Sequence, residues 1–180
     1  LINNTIRIYN ESQPFHAIHL ESGARGNSLF GTTITANNYI QDDATSTGNN
    51  MTDTLIVTGN GTILFQGTQN ISTGISVNGT NLNISFNRTY LNSTALSFLN
   101  TSAELTMFGL NFTNPQIMVA YDDSTFEVCP PPGCNNLSYN LTSGTFTFNV
   151  SHFTTYSVME FEETPAETNL TTCGELNITN

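Results

Sequence analysis

Ile75-Ser-Val77-Asn78-Gly79-Thr80-Asn81-Leu82-Asn83-Ile84-Ser85-Phe86 is built of two apolar/polar alternating runs around Asn-Gly, the dipeptide favoured in two-residue type I′ hairpin turns. Such a turn predicts Ile75 opposite Leu82 and Val77 opposite Thr80. Ile84 and Phe86 would extend the buried face, with Ser76, Asn81, Asn83 and Ser85 outward. A second hairpin is expected over residues 55–65, Leu-Ile-Val-Thr-Gly-Asn-Gly-Thr-Ile-Leu-Phe, whose continuous apolar runs suit central strands covered on both faces. Phe146-Thr-Phe148-Asn149-Val150 and Phe108-Gly-Leu110-Asn111-Phe112 also place an Asn on the wet side. Other strands are expected at residues 5–9, 15–20, 28–35, 95–99, 105–110, 116–121 and 156–161.

About a dozen short strands separated by Gly, Asn and Pro indicate an all-β chain, a β-sandwich of immunoglobulin-like or jelly-roll type with extended terminal strands. The alternative is a short β-solenoid joined to a sandwich. Residues 1–9 and 70–86 each have the character of one coil, but no self-similarity at a fixed period persists. The expected organisation is an extended strand at 1–10, the sandwich at 11–161 and an acidic, Thr/Asn-rich tail at 162–180. Residues 41–50 (QDDATSTGNN) read as an exposed polar loop.

Sixteen of the 25 asparagines stand in Asn-x-Ser/Thr acceptors for N-linked glycans: Asn3, Asn10, Asn50, Asn60, Asn70, Asn78, Asn83, Asn87, Asn92, Asn100, Asn111, Asn136, Asn140, Asn149, Asn169 and Asn177. Ser and Thr occupy 44 of 180 positions, so random placement would make about six. The surplus points to an extracellular or cell-surface chain with covalent glycans and no other cofactor. Asn60 and Asn78 are expected at hairpin tips, and Asn83, Asn111 and Asn149 on outward strand faces.

Charged residues make up 9% of the chain and lysine is absent, against roughly 25% charged in an ordinary soluble domain. Glycans would supply the missing solubility. Fourteen carboxylates face only Arg7, Arg25 and Arg88, for a net charge of −11. Three scattered arginines make no cationic footprint, which excludes nucleic acid as a partner. Twelve Phe and six Tyr argue for a packed core over disorder. No run approaches the ~18 apolar residues of a membrane helix. The chain starts at Leu1 without a basic leader, as expected of a mature or trimmed piece, which leaves membrane attachment open.

Cys129-Pro-Pro-Pro-Gly-Cys134 predicts a disulfide across a tight loop, leaving Cys173 for another chain or as a free thiol. His16 and His19 are three apart and fall on opposite faces of a strand, so no metal site is expected there. Asp42-Asp43 and Asp122-Asp123 lack the spacing of a calcium loop and read as solvated turns. No Gly-x-Ser-x-Gly elbow positions a nucleophile near His16 or His152. Glu104 and Glu127 lack the tryptophan platforms common in glycosidases. No catalytic residue, and no enzyme, is expected.

Phe148-Asn-Val150-Ser-His152-Phe153-Thr154-Thr-Tyr156-Ser-Val158 resembles the closing strand pair of β-domains in archaeal surface glycoproteins, where Phe-x-Val-x-His-Phe-Thr/Ser-x-Tyr recurs. Residues 105–121 and the short Cys loop resemble the same domains. The single small β-domain, dense acceptors and sparse charge are similar to subunits of non-flagellar archaeal filaments such as threads and bundling pili. That resemblance implies a homopolymer joined by strand donation, with other copies of the chain as partners. Surface proteins of the same kind also join β-helices to sandwiches, and the solenoid-like segment 1–9 departs from the single-sandwich pattern in that direction. The competing role is a cell-surface adhesin or carbohydrate-binding module cut from a larger protein. From the residues themselves, His152 is expected to bond locally while Phe148, Val150 and Tyr156 pack the core. The segment 1–9 is extended and alternating, with Ile2, Ile6 and Ile8 on one face, and is the expected subunit-joining strand. Leu170, Leu176 and Ile178 form a weaker version in the tail.

Overall fold

The computed structural model describes residues 5–7, 16–43, 45–121 and 124–161. In chain order its strands are β1 Thr5–Arg7, β2 Ile18–Leu20, β3 Ser28–Phe30, β4 Thr33–Thr35, β5 Asn38–Asp42, β6 Asn50–Thr58, β7 Gly61–Asn70 and β8 Val77–Asn78. There follow β9 Leu82–Ser85, β10 Arg88–Leu91, β11 Ala103–Met107, β12 Pro115–Ala120, β13 Glu127–Val128, β14 Cys134–Asn140, β15 Thr145–Val150 and β16 Thr155–Glu160. The largest sheet runs β1-β4-β6-β7-β11-β15-β14, with β3 also on β6; a second runs β13-β12-β16-β10-β9 and a third β2-β5-β8. The chain is all-β with sheets packed together in the manner of a sandwich.

The sandwich core is aromatic. β15 has the burial pattern of a one-sided strand, with Phe146, Phe148 and Val150 inward. Phe148 lies 5.5 Å from Phe146 and 6.1 Å from Tyr156 of the second sheet, centroid to centroid. Phe153 continues the row, 6.5 Å from Tyr156 and 5.9 Å from Phe65 on β7. Each such ring contributes roughly 1.5–3 kcal/mol by leaving water, and the row spans both sheets, so the two halves are stabilised as one unit.

Residues 16–58 are arranged differently. Ile18 pairs in parallel with Ile40, Ser28 with Asn50 and Ile34 with Ile56, a constant offset of 22 residues. This is one parallel coil stacked on the next. Equivalent positions share both chemistry and backbone: Leu29 and Met51 are buried, as are Thr32 and Thr54, and Ile34 and Ile56. Gly26 and Gly48 both take left-handed φ, 64° and 66°, as do Gly31 and Asp53 at 56° and 48°. These are corners that favour Gly or Asx. A 22-residue period is therefore present, in two copies among the described residues. The solenoid-like coil and the sandwich coexist in one chain.

The Asn-Gly hairpin expected at residues 75–86 does not form. Val77 pairs with Ile40 of β5, while β9 pairs with β10 in another sheet. Neither Asn78 nor Gly79 has the positive φ of a type I′ turn. Instead the Asn81 side chain accepts from Asn78 N–H at 2.9 Å and donates to the Ser76 carbonyl at 2.8 Å. Side-chain hydrogen bonds of this kind compete with the ladder. Ile75 and Phe86 are consequently exposed, while Leu82 and Ile84 are buried as expected. The hairpin at residues 55–65 does form, as β6 and β7 around Gly59-Asn60.

Residues 95–99 are not a strand. Leu96 and Leu99, one 3₁₀ turn apart, are both buried, and Ser97–Leu99 is 3₁₀-helical. Asn92 Oδ1 receives Ala95 N–H at 3.0 Å just before it. The stretch 41–50 is not an exposed loop either, for Asp42, Ser46 and Asn49 are buried inside the coil.

Candidate functional site

The acceptor asparagines are spread over the outside of both parts of the fold. Asn60, Asn70, Asn83, Asn100, Asn111, Asn136 and Asn140 are exposed, while Asn50, Asn78, Asn87, Asn92 and Asn149 are half-buried. Asn3, Asn10, Asn169 and Asn177 lie outside the described residues. Among the described residues the fully buried asparagine is Asn49, which is not an acceptor. Asn60 is at the β6–β7 tip, its Nδ2 reaching the Ile84 carbonyl at 3.2 Å. Asn78 ends β8, just before a turn between two sheets, and is not at a hairpin tip. Asn149 alternates outward but stands between Glu104 and Asn135 in the middle of the ladder.

Local geometry presents several of these amides. Asn70, Asn78 and Asn140 accept the N–H two residues on through Oδ1, from Ser72 at 2.9 Å and from Thr80 and Thr142 at 3.0 Å. Each is an Asx-turn. The turn uses the oxygen and leaves Nδ2, the atom that would carry a sugar, uncommitted.

A second feature is a groove of about 420 Å³ lined by Ile117, Val128, Cys129, Cys134, Phe146 and Phe161. It lies where the end strands of two sheets, β13 and β14, come near each other. The Cys129–Cys134 disulfide, Sγ–Sγ 2.06 Å, forms part of its wall. Cys173 lies outside the described residues. Exposed Val128 and Phe161 leave the groove's apolar rim facing solvent.

The expected subunit-joining strand is in part accounted for by its own chain. Thr5–Arg7 pairs in parallel with Thr33–Thr35, setting Ile6 beside Ile34. Ile2 and Ile8 lie outside the described residues.

His152 is exposed and its Nδ1 is 3.2 Å from Ser151 Oγ, while its carbonyl accepts the Tyr156 hydroxyl. Burial lowers the pKa of His16, with His19 adding to the shift and a hydrogen bond to Gln41 opposing it. His19 Nε2 reaches Asp43 Oδ1 at 3.4 Å. Among the described residues no three His, Cys, Asp or Glu side chains converge as metal ligands. Asp42 is a structural carboxylate: Oδ2 accepts Thr73 and Gly74 N–H at 2.6 and 2.7 Å, and Ser46 Oγ donates to Oδ1. The reading of Asp42 as a solvated turn residue is thereby corrected, because the coil supplies its donors.

Burial pushes the Tyr39 phenol up to about 12 from its ordinary 10, and also raises Tyr156, with Tyr121 adding to the shift. The fold thus favours the neutral phenols. The stabilisation from Tyr39 is complete below pH 10, where the unfolded chain also keeps its protons, and is lost as pH rises from 10 through about 12. Unfolding midpoints measured across that window should fall, together with rising tyrosinate absorbance, and Tyr39→Phe should flatten the decline. A midpoint independent of pH there would contradict the burial of Tyr39.

Neither known protein-family models nor curated proteins yield a match to this chain. Among the described residues no helix is long and apolar enough to cross a membrane. The disulfide is compatible with an extracellular protein.

Proposed function

We propose that this chain is a structural, heavily N-glycosylated subunit of an extracellular filament or surface layer, and that copies of it join by β-strand complementation. The observation that carries this reading is the acceptor pattern: sixteen acceptors in 180 residues with 9% charge, every described one outside the buried core. A protein that wets its surface with sugars instead of lysines is suited to a dense, protease-exposed array. The groove between β13 and β14 supports the joining mode, since an extended apolar segment placed there gains ladder hydrogen bonds and buries its side chains together. If the N-terminal strand is the donor, it leaves its place beside β4 and takes up the groove of the neighbouring copy.

The stacked coil at residues 16–58 favours a second reading, a module of a larger surface protein in which further coils or a binding domain adjoin this one. Intact-mass analysis and electron microscopy of native material separate the outcomes. The expected result is a mass far above 19.6 kDa that falls on deglycosylation, with linear or sheet-like assemblies. A native mass at the polypeptide value sinks the glycoprotein reading, and dispersed particles at high concentration sink the polymer.

A further inference from the structure

Among the described acceptors, Asn87-Arg88-Thr89 is unlike the others. Transfer of a glycan needs the asparagine amide and the hydroxyl two residues on to be held together by the transferase. At the other described sites the second group is exposed or half-buried, but Thr89 is 0% exposed. It sits in the middle strand of three, opposite Ile84 on β9 and Tyr156 on β16. Asn87 is held as well: Nδ2 donates to the Val158 carbonyl at 3.3 Å, and its own carbonyl accepts Val158 N–H at 2.9 Å and Ser157 Oγ at 3.0 Å. A transferase cannot reach both groups without opening the β10–β16 pairing.

Thr89 supplies an independent argument. Its Oγ1 is buried with no hydrogen-bond partner, an arrangement that native folds rarely keep without a reason. Valine fills the same shape without that cost. The left-handed turn at Asn87, φ 53°, accounts for the asparagine, but nothing in the folded sheet accounts for the hydroxyl.

We propose that Asn87 is a glycan acceptor used only before the chain folds, with Thr89 retained for that step. The proposal rests on the glycoprotein reading. In the transfer, the bond from sugar C1 to the oxygen of a lipid-linked phosphate breaks and C1 bonds to Asn87 Nδ2. The lipid phosphate leaves with the electron pair, and one amide proton passes to a base of the transferase. The remaining amide hydrogen keeps the bond to Val158 when the sheet closes.

The test uses full-length chain made without glycans. It is incubated, folded or held unfolded, with an oligosaccharide transferase and its lipid-phosphate-linked donor, beside a peptide of residues 83–93, and occupancy is read site by site by mass spectrometry. Asn87 should be modified in the peptide and the unfolded chain and remain unmodified in the folded chain, where Asn100, Asn111 and Asn140 are modified. Thr89→Val should abolish modification of Asn87 in every arm without lowering the thermal midpoint, and Thr89→Ser should retain it. Modification of Asn87 in the folded chain to the level of Asn111, a peptide inert at Asn87, or equal resistance of all folded sites would each overturn the proposal. The glycoprotein reading fails separately, if native material carries no sugar.

Discussion

Phe148→Ala is expected to lower the unfolding free energy by about 3–5 kcal/mol, the range for deleting a fully buried aromatic side chain. Phe148 is 0% exposed, and its ring links Phe146 in its own sheet to Tyr156 in the facing one. Alanine would leave a void between sheets that are already held apart by Phe65, Phe146 and Phe153, so little collapse can fill it. Denaturant unfolding of the chain should show a lower midpoint with little change in slope. Leu137→Ala is the control, because Leu137 is 50% exposed on the end strand β14 and should change stability by no more than about 0.5 kcal/mol. Equal effects at the two positions would mean that the sheets do not pack through this row.

Asn49→Ala should destabilise the chain by about 2–4 kcal/mol, through orphaned polar groups more than through lost volume. Asn49 is 0% exposed and connects successive levels of the coil. Its Oδ1 accepts Asn27 N–H and Nδ2–H, each at 2.9 Å, and its Nδ2 donates to the Ala24 carbonyl at 3.1 Å and to Ser72 Oγ at 2.9 Å. Without the amide, Asn27 N–H and Nδ2 lose their acceptor and the Ala24 carbonyl keeps only Thr47 N–H, at 2.9 Å, in a stack where Asn49 itself is fully buried. Asn27→Ala, at the exposed end of the same ladder, removes one side chain that water can replace and should cost about 1 kcal/mol or less. If the two variants unfold alike, the ladder does not hold the coil together.

The two residues show what could be read without coordinates. Phe148 belongs to a run whose period of two marks a one-sided strand, so its burial follows from the order of residues alone. The disulfide was legible for the same local reason, since a six-residue Cys-to-Cys stretch of Pro and Gly leaves the sulfurs few other places to go. Asn49 gave no such signal. It lies in a polar stretch that composition assigns to a loop, and only the parallel stacking of Asn27 on Asn49, with Ser72 brought against them from the end of β7, makes that polarity an internal ladder. The 22-residue repeat behind it was hidden because two copies sharing Ile18/Ile40, Gly26-Asn27/Gly48-Asn49 and Ile34/Ile56 barely exceed coincidence.

Turn chemistry separates the two kinds of information further. Asn78-Gly79 has the residues of a hairpin, yet β5 captures Val77 and β10 captures β9, because burying Val77 and Leu82 contributes roughly 1.5–3 kcal/mol each and outweighs one local turn preference. The true hairpin closes at Phe86-Asn87, where the pattern predicted only more strand. The sequence by itself determined that this chain is all-β, disulfide-bonded across residues 129–134 and rich in surface acceptors, because alternation, loop length and three-residue motifs are local properties. Which strands pair, where a parallel coil gives way to facing sheets, and which acceptor threonine is sealed inside were decided by tertiary structure alone, because each depends on long-range partners competing for the same backbone groups and the same buried space.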